Sequence, residues 1–255
     1  MKIYQPGFIG HEDANTCLEW DPGSYEAFLK NLKEMPDNWY YRNAKITYNI
    51  NSLGHRSKEI TEVNLDNYIL FIGCSHTEGV GMELEKTYPF LLAKKLNCDY
   101  YNLSLGATGI DVVLHNLTIW FSTITKKPKA LIIQWPDFTR TITGLSDKNL
   151  ETRGLWHQNE DYSRFIDLGI SLQWFDAKKI MAHYIVQALN VPTVYFGLYK
   201  VIPFNDETII EPIIDYARDL SHPGIKSHER FAESIHDYLI NTLCLSFCQN
   251  PEEKS

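Results

Sequence analysis

Cysteines are few in this sequence, and their spacing follows no pairing pattern. There are five among 255 residues, an odd number, with no CxxC pair and no Cys/His array at zinc-site spacing. A disulfide framework needs paired cysteines, and a structural zinc site needs clustered ligands. We therefore predict neither disulfide bonds nor a bound metal. The five positions are Cys17, Cys74, Cys98, Cys244 and Cys248.

Long apolar runs are also missing. No segment approaches the roughly 20 consecutive apolar residues that a membrane-spanning helix needs. The opening residues, MKIYQPGFIGHED, hold one lysine and lack the apolar core of a signal peptide. We therefore expect a soluble, cytoplasmic protein that does not bind a membrane.

Basic residues are outnumbered by acidic ones. The chain has 24 Lys and Arg against 32 Asp and Glu, which gives a formal net charge of −8. Proteins that bind nucleic acid neutralise its phosphates with Lys and Arg, so this balance argues against nucleic acid as a partner.

Short apolar runs alternate with helical patterns from about residue 68 onward, whereas the polar stretch 139–172 gives few periodic signals. Predicted strands cover 68–73, 99–106, 130–135 and 191–198. Predicted helices cover 87–97, a segment from about Asp111, a segment around 175–189 with Met181 and Tyr184 on its apolar side, and 231–242. Strands that alternate with helices predict βαβ crossovers and a mainly parallel sheet covered on both faces. In such α/β folds, ligands bind at the carboxyl ends of the strands.

The first sixty residues differ in kind from the rest. They are rich in turn formers and aromatics and show no sustained periodicity. With 44% hydrophobic residues the chain can bury a large core. We expect one α/β domain over residues 61–248, with residues 1–60 as an N-terminal extension packed on it.

Three turns hold residues suited to nucleophilic catalysis. Ser75 follows the first predicted strand, Gly106 follows the second, and Asp219 and His222 lie three apart in the loop DLSHPG. A serine needs a base to take its proton, and the base works best when a carboxylate fixes its tautomer. Backbone N–H groups at Ser75 and Gly106 can stabilise an oxyanion, whereas His76 is expected to take no part. Each residue also has a structural alternative: Ser75 and Asp219 as helix caps, and His222 as a surface loop residue.

Together these turns resemble the sequence blocks of the SGNH, or GDSL-like, hydrolase family. GCSHTEGVG is similar to the first block, usually Gly-Asp-Ser, and DLSHPG keeps the last block, Asp-x-x-His. NLSLGATG is similar to the second block, with Gly106 as the best match to the oxyanion glycine and Gly109 or the Ala107 amide as alternatives. YNINSLGHRSKE at 48–59 looks like a lead-in seen in one branch of the family. The resemblance covers residues 48–243 and implies a three-layer αβα sandwich of the flavodoxin-like type.

Two positions depart from the family pattern. Cys74 stands where the first block has an aspartate that is not part of the catalytic triad. QWPDFTR stands where the third block has an asparagine whose side-chain amide donates to the oxyanion. Pro136 has neither a side-chain amide nor a backbone N–H. We expect Gln134 to take over this role, with Trp135 or Arg140 as alternatives.

The resemblance implies a serine esterase, a carboxylic-ester or O-acetyl hydrolase that works through an acyl-enzyme on Ser75. His222 would be its base and Asp219 would orient that base. Gly106 and Gln134 would form the oxyanion hole, and no metal or cofactor is implied. The expected substrate is a small-molecule or glycan ester. Two alternatives stay open: an O-acyltransferase with the same triad, and a non-catalytic binding or assembly protein that keeps the fold.

Overall fold

The computed structural model describes residues 1–19, 24–146, 149–153, 168–198 and 209–247, so Cys248 and the predicted domain end at 248 lie outside these ranges. The strands are β1 (Lys2–Tyr4), β2 (Phe8–Gly10), β3 (Thr16–Leu18), β4 (Tyr48–Ile50), β5 (Tyr68–Ile72), β6 (Asp99–Asn102), β7 (Ala130–Gln134), β8 (Thr141–Ser146), β9 (Asn149–Arg153), β10 (Thr193–Gly197) and β11 (Ile209–Ile210). The α-helices are α1 (Ser24–Glu34), α2 (Ser75–Glu78), α3 (Tyr88–Lys95), α4 (Ile110–Thr123), α5 (Leu168–Leu189) and α6 (Ile225–Asp237). Shorter turns of 3-10 helix lie at Tyr40–Arg42, Ile60–Glu62 and Leu84–Lys86, and a π-helical turn, Tyr238–Thr242, follows α6. Within the described ranges, no helix combines the length and the apolar character needed to cross a bilayer.

Five parallel strands form the central sheet, in the spatial order β11–β10–β7–β5–β6. Leu70 at the middle of β5 lies beside Leu131 of β7 on one side and Tyr101 of β6 on the other. Numbered along the chain from β5, the order is 2-1-3-4-5, which is the flavodoxin-like arrangement. The predicted fold class is confirmed, and the four predicted strands are β5, β6, β7 and β10.

Side chains of the central strands alternate between two apolar cores. Leu70 and Ile72 of β5 face the core that α4 and α5 cover, and Ile69 and Phe71 face the core that α3 and α6 cover. All four are buried, so β5 is a continuous apolar run, as expected for a strand covered on both faces. The two helix layers and the sheet make the three-layer sandwich.

Helix α5 is apolar on two sides, and only one of them is buried. Phe175, Ala182 and Val186 pack in the core beneath the helix. Met181 and Tyr184 are 56% and 66% exposed, so the prediction that they lie on the buried side is wrong. Periodicity marks apolar stripes on a helix, but it does not decide which of two stripes faces the sheet.

The polar stretch after β7 contains a hairpin that the sequence did not predict. β8 pairs with β9, β9 pairs with β1, and β1 pairs with β2, which makes a second, antiparallel sheet of four strands. A register shift between Ile142 and Leu145 interrupts β8. Because a bulge breaks the two-residue alternation of apolar side chains, these strands give little periodic signal.

The N-terminal segment is tied to the α/β core by buried polar contacts. The side-chain amide of Asn116 in α4 accepts the Ile9 N–H at 2.8 Å and donates to the Ile9 carbonyl at 2.8 Å. His55 Nε2 lies 3.1 Å from the same carbonyl oxygen. The Ile9 side chain packs with Leu105 and Val112. Strand β2 therefore lies against α4 and the turn that follows β6.

Candidate active site

The carboxyl ends of three neighbouring strands hold the candidate residues. Ser75 follows β5, Gly106 follows β6, and Gln134 ends β7. The chain leaves β5 for β6 on one side and later returns to β7 on the other. Such a switch point leaves a crevice at the strand ends, which is the usual ligand site of doubly wound sheets.

A sharp turn between β5 and α2 positions Ser75. Cys74 is extended, with φ −110° and ψ −156°, and its carbonyl accepts the N–H groups of Thr77 and Glu78 at 3.0 Å each. Gly79 ends the helix after one turn with φ +81°, a left-handed conformation that favours glycine. Ser75 is thus the first helical residue rather than the helix cap, and it is 4% exposed.

A buried arginine holds the far end of this turn, and no role for it was predicted from the sequence. Arg56 Nη1 donates to the carbonyls of Glu78 and Gly79 at 3.2 and 2.7 Å. Its Nη2 donates to the carbonyls of Thr47 and Met82 at 2.9 and 2.8 Å. A planar guanidinium can satisfy several carbonyls at once, so Arg56 fixes the backbone around α2. Arg56 lies within the segment 48–59 that looks like a lead-in of the SGNH family, and this resemblance was the signal that could have pointed to it.

Ser75, His222 and Asp219 form one hydrogen-bonded chain. Ser75 Oγ lies 2.8 Å from His222 Nε2, and His222 Nδ1 contacts Asp219 Oδ2. With Nδ1–H donating to the carboxylate, Nε2 is left as the acceptor for the serine proton. Burial raises the pKa of Asp219, but hydrogen bonds from His222 and from two backbone N–H groups outweigh it and lower that pKa overall. Asp219 therefore stays charged and holds the imidazole in one tautomer.

The loop that carries Asp219 and His222 is fixed by its own backbone. Asp219 Oδ1 accepts the N–H groups of Ser221 and His222, both at 3.0 Å. The Ala217 N–H donates to the His222 carbonyl at 2.8 Å, which closes the loop. Asp215 then accepts the Ser227 N–H at 2.7 Å and anchors the start of α6. These bonds hold the side chains of Asp219 and His222, which are three residues apart in sequence, in contact with each other.

Gly106 lies directly beside Ser75. A side-chain carbon built at position 106 would sit 3.9 Å from Ser75 Cβ and 3.1 Å from Glu78 Oε2. A side chain at position 106 would therefore crowd the Glu78 carboxylate, and glycine lets the backbone lie close to it. Gly109, one alternative, instead caps the N-terminus of α4 and lies against the Arg140 carbonyl, and Ala107 adopts a left-handed φ of +58°.

The contacts of Gln134 differ from those expected of an oxyanion donor. Its Oε1 accepts the Cys74 N–H at 3.2 Å, which fixes which end of the amide is oxygen. Its Nε2 then donates to the Trp135 carbonyl. Gln134 is 2% exposed, and this amide braces the turn before Ser75, whereas its role as an oxyanion donor stays a prediction. The Trp135 ring is stacked on Tyr195, at 5.6 Å between centroids.

Two further histidines lie near the hydrogen-bonded residues Ser75, His222 and Asp219. The His76 and His222 ring centroids are 5.4 Å apart, so His76 lies beside the candidate base, and the expectation that it takes no part stays a prediction. Successive helical residues differ by about 100° in direction, which still allows a ring to reach its neighbour's partner. His228 is buried, its Nδ1 accepts the Tyr88 N–H at 3.0 Å, and burial lowers its pKa to about 3. Across the described part of the chain, no group of three or more His, Cys, Asp or Glu side chains is arranged to hold a metal ion.

Comparison with known proteins gives matches among solved structures. No protein-family profile matches the sequence, and no curated protein matches it. An acetyl xylan esterase, Est2A, from the rumen bacterium Butyrivibrio proteoclasticus is 18% identical with a TM-score of 0.49, covering 70% of this chain and 65% of that one. A family two carbohydrate esterase from Clostridium thermocellum, in complex with cellohexaose, is 14% identical with a TM-score of 0.47, covering 71% and 65%.

A third structure is similar over its whole length. The psychrotrophic esterase EstA from Pseudoalteromonas sp. is 15% identical with a TM-score of 0.45, covering 70% of this chain and 100% of that one. The chain spans less than two thirds of the length of the two carbohydrate esterases. Identities and TM-scores at this level define neither a family nor an activity.

Proposed function

We propose that the protein is a serine esterase of the SGNH type, acting on a carboxylic or O-acetyl ester of a small molecule or a glycan. The observation that carries this proposal is the hydrogen-bonded chain Ser75, His222, Asp219 at the carboxyl end of β5. A hydroxyl 2.8 Å from an imidazole nitrogen is within reach for proton transfer. The structural alternatives, a helix-capping role or a position in a surface loop, do not require a histidine that contacts a carboxylate through one ring nitrogen and a serine through the other.

In the proposed reaction, Ser75 Oγ attacks the ester carbonyl while His222 Nε2 takes its proton. The imidazolium is stabilised by the Asp219 carboxylate and passes the proton to the alcohol oxygen as its bond to the carbonyl carbon breaks, so that the alcohol leaves and the acyl-enzyme on Ser75 remains. Water attacks the acyl-enzyme with His222 again as base, and the acid product leaves Ser75 free.

The negative oxygen of the tetrahedral intermediate needs donors, and we propose the backbone N–H groups of Ser75 and Gly106. We leave Gln134 out of this pair, because its Oε1 accepts the Cys74 N–H and its Nε2 donates to the Trp135 carbonyl. Loss of one oxyanion donor typically lowers kcat about 100- to 1000-fold. We therefore expect slow turnover compared with serine esterases that have three donors.

Residues 61–248 are proposed to form the catalytic domain, and residues 1–60 an extension packed on it. The paired contacts between Ile9 and the Asn116 amide support this arrangement. Position 248 lies outside the described residues.

Hydrolysis of p-nitrophenyl acetate without any added acceptor tests the proposed activity. We expect the wild type to release acetate and p-nitrophenol, and Ser75→Ala and His222→Ala to lower kcat/KM by about 10⁴-fold or more. Ser122→Ala and His236→Ala are matched controls, since Ser122 lies exposed on α4 and His236 pairs with Asp237. Release that survives both site variants would contradict the proposal, and transfer seen only with an added alcohol would favour an O-acyltransferase.

A further inference from the structure

A buried carboxylate lies at the end of the one-turn helix that Ser75 begins, and the proposed reaction does not use it. Glu78 is 1% exposed, and its Oε1 lies 2.6 Å from His11 Nε2. Burial raises the pKa of Glu78, but His11 and Arg56 outweigh burial and lower that pKa overall. A charged group buried to this extent normally has partners for all its polar atoms.

The second oxygen of Glu78 faces the turn that carries Gly106. A side-chain carbon at position 106 would lie 3.1 Å from Glu78 Oε2 and 3.9 Å from Ser75 Cβ, so the Gly106 backbone adjoins both groups. The Gly106 N–H also contributes to the lowered pKa of Glu78. Within the described residues, however, Oε2 completes no hydrogen bond. The Glu78 carboxylate is thus close enough to orient the Gly106 peptide, although it completes no hydrogen bond with it.

The partner of Glu78 comes from the N-terminal segment. His11 follows β2, and its N–H donates to the Gly54 carbonyl at 2.8 Å, which fixes its backbone. A carboxylate without a neutralising partner would repel negative charge that develops beside Gly106. When protonated, the His11 imidazole, whose Nε2 lies 2.6 Å from Glu78 Oε1, offsets that repulsion.

We propose that His11 and Glu78 form a positioning pair, in which Glu78 orients the Gly106 turn beside Ser75 and His11 neutralises Glu78 so that an oxyanion can form there. The inference rests on the proposed esterase function. It makes residue 11, far from the triad in sequence, part of the apparatus that sets the rate.

Steady-state hydrolysis of p-nitrophenyl acetate by four variants tests the pair. We expect His11→Ala to lower kcat about 10- to 100-fold with KM within about twofold, as for a misplaced catalytic group. Adding Glu78→Gln to His11→Ala should restore most of that loss, because the unpaired charge is gone. His11→Gln, which keeps a donor but no charge, should fall between His11→Ala and the wild type.

The rescue separates this role from a merely structural one, since removal of a second packing residue would not raise kcat. His236→Ala serves as the matched control, and we expect it to leave kcat unchanged. Wild-type kcat in both His11→Ala and His11→Gln, or a loss in His11→Ala that Glu78→Gln does not restore, would overturn the pair alone. A wild type without Ser75-dependent hydrolysis would overturn the proposed function and this inference together.

Discussion

Asp219 performs two tasks, one with each carboxylate oxygen. One oxygen contacts His222 Nδ1, and the other accepts the backbone N–H groups of Ser221 and His222. The same side chain therefore closes its loop and selects the tautomer of the base. We predict that Asp219→Asn lowers kcat/KM by about 10⁴-fold, since an amide leaves the imidazole in the wrong tautomer. Initial rates on p-nitrophenyl acetate measure this, and a loss under tenfold would contradict the assigned role.

Asp219 also gives a prediction about stability and pH. Its pKa in the folded chain lies below the ordinary value of 3.8, so its ionised form stabilises the folded state above that pH. This stabilisation is lost as the pH falls through the lowered pKa. We expect wild type to exceed Asp219→Asn in free energy of unfolding at pH 7, and the difference to shrink below pH 3.8. Urea unfolding at both pH values checks this, and a difference that grows on acidification would contradict it.

At the scale of elements, α2 is too short to be stable alone and depends on Arg56. Helices well under about 12 residues are marginal in water, and α2 has four residues. Arg56 donates to four carbonyls around it, from Thr47, Glu78, Gly79 and Met82. We predict that Arg56→Lys lowers the free energy of unfolding by about 3 kcal/mol or more, because one ammonium cannot replace a planar fork in a buried site. Urea unfolding measures the loss, with Arg230→Lys at an exposed ion pair as control; equal stability of both variants would contradict this role.

At the scale of the whole molecule, the N-terminal segment and the α/β core are joined through Asn116. Its amide satisfies both the N–H and the carbonyl of Ile9, and it is buried. We predict that Asn116→Ala lowers the free energy of unfolding by about 1 to 3 kcal/mol, because the Ile9 N–H loses its side-chain acceptor and the Ile9 carbonyl keeps only the contact with His55. Hydrogen exchange should speed up at Phe8–Gly10 more than at Tyr68–Ile72. Equal protection at β2 in the variant and the wild type would argue against this joint.

The sequence predicted features that one local pattern determines. Continuous apolar runs marked the central strands, and the order of Ser75, Gly106 and His222 along an α/β chain marked the site. Contacts set by packing were not predictable in this way. The side of α5 that faces the sheet, the bulged strand β8 and the reach of His11 to Glu78 each depend on neighbours distant in sequence. The hydrogen bonds of Gln134 to Cys74 and Trp135 likewise exist only in the folded chain.

Labelling by a fluorophosphonate probe tests the central claim most directly, because only an activated serine attacks phosphorus at a useful rate. Intact-mass and peptide analysis should find one adduct on the wild type, at Ser75, and none on Ser75→Ala. His222→Ala should suppress the same adduct, whereas His236→Ala should leave it unchanged. An adduct at another serine, or labelling of Ser75 that persists in His222→Ala, would contradict the account.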